Sequence, residues 1–122
     1  MTALTTKTAP PNSIVLVSDV ASIDVPASMG GSVISATNAC VAVGCLSEDD
    51  GETELTLAPL SAVDRSDTPI YQGVLATPTR RVAIRSVLGQ RLLELPVTQD
   101  RTSIKVWVND PTEPDKVVVG VA

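Results

Sequence analysis

The sequence predicts an all-β fold, an antiparallel β-sandwich of about eight short strands with a flexible N-terminal arm. Three observations carry that reading. Val (18), Thr (13) and Ile (6) make up about 30% of the 122 residues, and β-branched side chains are stiff at χ1 and pack well on a pleated surface. Short apolar runs alternate with turn signals every 8 to 12 residues, the spacing of a sandwich or small barrel. No segment sustains an apolar period of 3.6 over the length a helix needs.

Residues 1–12 read as a loose arm, rich in Thr and closed by Pro10 and Pro11, leaving 13–122 as a single domain. "SIVLVSD" (13–19) is a strand, and "ASIDVP" (21–26) is a second strand or an irregular edge stopped by Pro26. The turn "MGG" precedes "SVISAT" (32–37) and "ACVAVGCL" (39–46). After an acidic stretch comes "TELTL" (53–57), stopped by Pro59. "DRSDTP" (64–69) is a loop before "IYQGVLA" (70–76). "RRVAIRSV" (80–87) alternates Val82, Ile84 and Ser86 against Arg81, Ala83 and Arg85. "RLLELPV" (91–97) and "SIKVWVN" (103–109) follow, the latter placing Trp107 on the face opposite Ile104, Val106 and Val108. A loop or second sheet is expected to cover it. "DPTEPD" (110–115) is a two-proline turn before "KVVVGVA" (116–122).

The acidic stretch holds five of the fourteen acids within residues 48–54: Glu48, Asp49, Asp50, Glu52 and Glu54. With Asp50-Gly51 as a two-residue hairpin loop, Leu46 would face Leu55 and Gly44 would face Leu57, an apolar pairing that leaves the acids in solvent. A calcium loop needs six to eight oxygens at a fixed spacing between helices. "SEDDGETE" has neither, so no metal and no cofactor is expected. The five acids are the candidate partner-binding residues.

Composition narrows the chemistry. The chain has no histidine, which excludes Ser-His-Asp and Cys-His arrangements and histidine-ligated zinc. "MGGS" lacks the Gly-Lys-Ser/Thr that a phosphate loop requires. A net charge of −5 and one Trp, one Tyr and no Phe argue against nucleic-acid binding, which needs cations and stacking platforms. No apolar run reaches the roughly 18 residues of a membrane span, and "MTALTTKTAPPNS" has no signal-peptide core, so a cytoplasmic location is expected. Cys40 and Cys45, five residues apart along one strand, lie roughly 16 Å from each other on opposite faces and cannot form a disulfide. They read as reduced, small apolar fillers.

Charge is unevenly placed. Residues 48–67 carry seven acids against Arg65, net −6, while 80–105 carry six cations against Glu94 and Asp100, net +4. Neighbouring strands that neutralise each other are the expected reason, and head-to-tail assembly the alternative.

The segment "VAIRSVLGQRLLELPVTQDRTSIKVWV" (82–108) resembles the end of competence protein J, a family of inhibitors of a DNA-entry nuclease, and related small bacterial β-sandwich proteins. The shared pattern is a strand ending near Ser86, an Arg91-Leu92 start, a Leu95-Pro96 stop, then a strand with Trp107. The resemblance implies a sandwich. The turn "VTQDRTS" (97–103) departs from the family's Gly-acid-Tyr turn, and no inhibitory residue carries over.

The function expected is a non-enzymatic protein-binding, inhibitor or accessory module that meets a basic protein partner through the acidic surface. The alternative is a structural, self-assembling subunit of a phage or shell, compatible with homo-oligomers. A carboxylate- or metal-dependent enzyme is the third reading.

Overall fold

The computed structural model describes residues 3–122. Ten strands form two five-stranded sheets packed face to face. They are β1 (Leu4–Thr8), β2 (Ile14–Asp19), β3 (Ile34–Ala36), β4 (Cys40–Gly44), β5 (Thr53–Pro59), β6 (Tyr71–Ala76), β7 (Arg81–Ser86), β8 (Arg91–Pro96), β9 (Arg101–Val108) and β10 (Lys116–Val121). One sheet runs β1-β5-β10-β9-β6 and the other β3-β4-β2-β7-β8. Every pairing is antiparallel except that of β5 with β10, which is parallel.

Alternation builds the core. Val15 and Val17, Val41 and Val43, Val82 and Ile84 point inward from one sheet and meet Leu55, Leu57, Ile104, Val106, Val117 and Val119 from the other. All of these are fully buried. No aromatic ring belongs to the fully buried set, so aliphatic side chains supply the burial term of about 25 cal/mol per Å².

Two long connections cover the outer faces. Residues 20–33 form no strand, so 21–26 is a loop and not a strand. Ile23 there is 96% exposed, but Met29 packs on Leu16, Cys40 and Ala42. On the other sheet the 60–70 connection lays Leu60 over Gly120 and Asp67 over Trp107. The Trp107 Nε1–H donates to the Asp67 carbonyl at 3.0 Å, which is how a loop buries the one tryptophan.

Two sequence expectations are corrected. Leu4–Thr8, inside the expected flexible arm, is an edge strand paired antiparallel with β5, Leu4 opposite Leu57 and Thr8 opposite Thr53. Alternating Thr and Lys offer no apolar run, yet Leu4 packs on the core and the backbone completes the sheet. The hairpin at Asp50-Gly51 does not form. β4 pairs with β2 and β3, β5 pairs with β1 and β10, and the acidic stretch crosses from one sheet to the other. Leu55 and Leu57 do face inward, but their neighbours are Val117 and Val119 rather than Leu46 and Gly44.

The cysteines behave as expected. Both are free and buried, Cys45 in the central core and Cys40 on the outer cluster with Leu16 and Ala42. Burial pushes the Cys40 thiol up to about 11 and the Cys45 thiol up to about 12, so neither is a thiolate at neutral pH.

Candidate functional site: an acidic end of the sandwich

Strand register sorts the loops to the two ends of the sandwich. The 45–52 crossing, the turn before β10 and the connection preceding β2 share one end. The crossing is pinned there by two backbone bonds: Leu46 N–H donates to the Pro114 carbonyl and Glu54 N–H to the Asp115 carbonyl, each at 2.8 Å. Within the crossing, Asp50 N–H closes a turn on the Ser47 carbonyl at 2.9 Å. Gly51 follows with φ +143°, a conformation L side chains rarely adopt.

These bonds bring a second group of acids to the first. The turn carrying Asp110, Glu113 and Asp115 thus shares an end of the sandwich with Glu48, Asp49, Asp50, Glu52 and Glu54, eight carboxylates in all, and Asp115 lines one depression with Glu52 and Glu54. The second turn is held rigid by its own side chains. Asp110 Oδ1 accepts from the Thr112 and Glu113 amides at 2.9 Å each and from the Thr112 hydroxyl at 3.0 Å. The Glu113 and Thr112 amides and the Thr112 hydroxyl lower the Asp110 pKa, outweighing desolvation. Asn109 Oδ1 accepts from the Asp115 and Lys116 amides at 3.1 Å each.

The five residues singled out in sequence do not share one environment. Glu54 is half-buried on β5, flanked in register by Lys7 on β1 and Lys116 on β10. Glu48 accepts a long 3.4 Å bond from the Asn12 amide. Asp49, Asp50 and Glu52 are exposed. Among the described residues the ion pairs are Arg65–Asp67, Arg81–Glu94 and Arg91–Glu94. Each lies within its own segment, so the 80–105 cations do not neutralise the 48–54 acids. Lys7 and Lys116 are the cations beside Glu54 at this end.

A shallow depression of about 170 Å³ lies between Lys7, Glu52, Glu54, Asp115 and Lys116. Small-molecule pockets run from roughly 300 to 1,000 Å³, so this end presents a surface rather than a cavity. No group of three or more possible metal ligands forms among the described residues.

Sequence reasoning missed Asp19. It is 1% exposed and closes the end of β2 against the 77–80 turn. Its Oδ1 accepts from the Ala21 amide at 2.9 Å, and its Oδ2 from the Thr79 amide at 2.9 Å and hydroxyl at 2.7 Å. Burial raises its pKa, but the Thr79 hydroxyl, the Ala21 and Thr79 amides and the Arg85 charge outweigh that and leave it lowered. With three donors on it, this carboxylate organises the backbone. The sequence signal was an Asp closing an apolar strand, which reads equally as a solvated strand end.

The order β1-β5-β10-β9-β6 over β3-β4-β2-β7-β8, with its one parallel pair, can be compared with solved structures. The fold is similar to that of ComJ. The crystal structure of ComJ, inhibitor of the DNA degrading activity of NucA, from Bacillus subtilis, superposes with a TM-score of 0.65 at 8% identity, covering 97% of this chain and 93% of ComJ. A structure described as crocagin biosynthetic gene J superposes with a TM-score of 0.54 at 11% identity, covering 98% of this chain and 94% of that one. No protein-family model matches the chain, and no curated protein matches it in sequence. At these identities the likeness to ComJ is one of fold, and it spans 97% of the chain where the sequence pattern spanned 82–108.

Proposed function

We propose that this chain is a non-enzymatic protein-binding module of the inhibitor type, and that its acidic end engages a basic surface on a partner protein. The observation that carries the reading is the pinning of the 45–52 crossing to the 109–115 turn, which brings the acids of both segments to one end of the sandwich, with Glu52, Glu54 and Asp115 around Lys7 and Lys116. A surface of that sign attracts cationic faces, and one rigidified by backbone bonds loses little entropy on docking. ComJ, with the same fold, inhibits a DNA-degrading nuclease. Enzymes that cleave nucleic acid carry basic substrate faces, and an acidic protein end competes for such a face.

The self-assembling alternative finds less support in the charges. Of the cations in 80–105, Arg81 and Arg91 already pair with Glu94, which leaves a second copy less positive charge to offer the acidic end.

Affinity capture on the immobilised chain from the cells that make it tests the proposal. The parent chain is expected to retain a basic protein that elutes as salt is raised. Glu48→Ser, Asp49→Ser, Asp50→Ser and Glu52→Ser in combination should lose it, chiefly through slower association. Identical partners and identical salt elution for parent and variant would remove the acidic end from the function.

A further inference from the structure

Strand β1 is weakly held and awkwardly tethered. None of its five side chains is fully buried, and Leu4 alone packs on the core. Residues 9–13 join it to β2 in the other sheet. Pro10 is already extended, φ −66° and ψ 134°. Then come two successive residues other than glycine in the left-handed region, Asn12 at φ 58° and Ser13 at φ 60°. Asn tolerates that conformation and Ser does so poorly. The hinge is held by its own turn, Ser13 N–H to the Pro10 carbonyl at 3.0 Å and Ile14 N–H to the Pro11 carbonyl. Cys45 N–H to the Ser13 carbonyl at 2.7 Å and one long side-chain bond from Asn12 N–H to Glu48 also hold it, so opening it must break the turn.

Straightening the hinge would relax both residues into extended backbone and let the five-residue connection span up to about 17 Å. The vacated edge of β5 is shaped for one strand. Thr56 Oγ1 meets Thr5 Oγ1 at 3.3 Å, Glu54 stands opposite Lys7 and Leu57 opposite Leu4. A second copy supplies that strand.

We propose that the chain forms a strand-exchanged dimer in which the segment before Pro10 of each copy completes the β5 edge of the other. The same contacts form in the closed monomer and in the exchanged pair. Hinge strain therefore favours exchange, while association entropy favours the monomer, and concentration sets the balance.

Thr5 and Thr56 are directly opposed, a separation that suits a disulfide. The full chain carrying Thr5→Cys and Thr56→Cys is refolded at millimolar concentration and oxidised, then run without reductant beside the parent, whose own cysteines are buried. A closed chain gives an intramolecular bond and an exchanged pair gives a covalent dimer. The dimer fraction is expected to rise with concentration and to fall about tenfold when Asn12→Gly and Ser13→Gly relieve the left-handed strain. An intramolecular bond at every concentration overturns exchange, and a dimer indifferent to the glycines overturns the strained hinge. Should the cysteine pair impair folding, two differently tagged parent chains refolded together must yield mixed dimers that survive dilution; monomers alone overturn the proposal.

Discussion

The Asp19 carboxylate takes three hydrogen bonds, from the Ala21 amide and from the Thr79 amide and hydroxyl. Asp19→Asn keeps the shape but turns an amide –NH2 toward the Thr79 donors or strips Ala21 of its acceptor. Loss of charge-assisted bonds of this kind costs about 1.5–3 kcal/mol, measurable as a lower urea midpoint at pH 7. The pH dependence has a definite sign. The folded-state pKa lies below the ordinary carboxylate value of 3.8, so the contribution is complete above the unfolded pKa and disappears as pH falls through the folded one. The parent and Asp19→Asn curves should therefore converge below about pH 4, an ordinary Asp value. Curves that stay parallel to pH 2 would mean that Asp19 binds its proton equally well folded and unfolded, so that these hydrogen bonds do not favour its ionised form.

Elements show where local pattern and tertiary context part. All the expected strands except 21–26 exist near their expected bounds, because period-2 alternation in runs such as "RRVAIRSV" reports burial directly. Pairing was less legible. Leu46, Leu55 and Leu57 satisfied an antiparallel hairpin on paper, but apolar matching alone cannot distinguish Leu46 from Val117 as a neighbour of Leu55. β1 escaped notice because an edge strand can be held mainly by its backbone, which leaves no apolar signature. The acidic crossing was visible as a cluster; its joining to Asp110, Glu113 and Asp115 was not, since a parallel pairing of residues more than fifty positions apart has no local mark. Gly120 shows the same dependence on context: a Cβ there would lie 2.5 Å from Leu60 Cδ2 and 3.2 Å from Val63 Cγ2. Gly120→Val should displace the 60–63 turn and cost about 1–3 kcal/mol, read as a lower denaturation midpoint, with Gly120→Ala milder because the Leu60 side chain can swing away.

The molecule as a whole exposes 6270 Å², close to the roughly 6,200 Å² expected of a compact monomer of its mass. No helix among the described residues is long and apolar enough to cross a membrane. Eight carboxylates at one end repel one another, and over separations near 10 Å that repulsion is largely screened at 0.1 M salt but not at 0.01 M. Raising NaCl from 10 to 200 mM should therefore lift the melting temperature, and the combined Glu48, Asp49, Asp50 and Glu52 to Ser variant should show a smaller lift. A parent chain insensitive to salt would mean these acids are too far apart to interact.

Strand β10 occupies the middle of its sheet, between β5 and β9. On the ribosome, residues 53–59 and 101–108 are made earlier and would wait side by side with an empty lane between them. Neither the β1-β5 pair nor the β9-β6 pair can join the other until residues 116–121 emerge to fill it. Nascent chains should consequently present two half-sheets with open edges, an aggregation-prone interval that slower translation would lengthen and a chaperone would shorten.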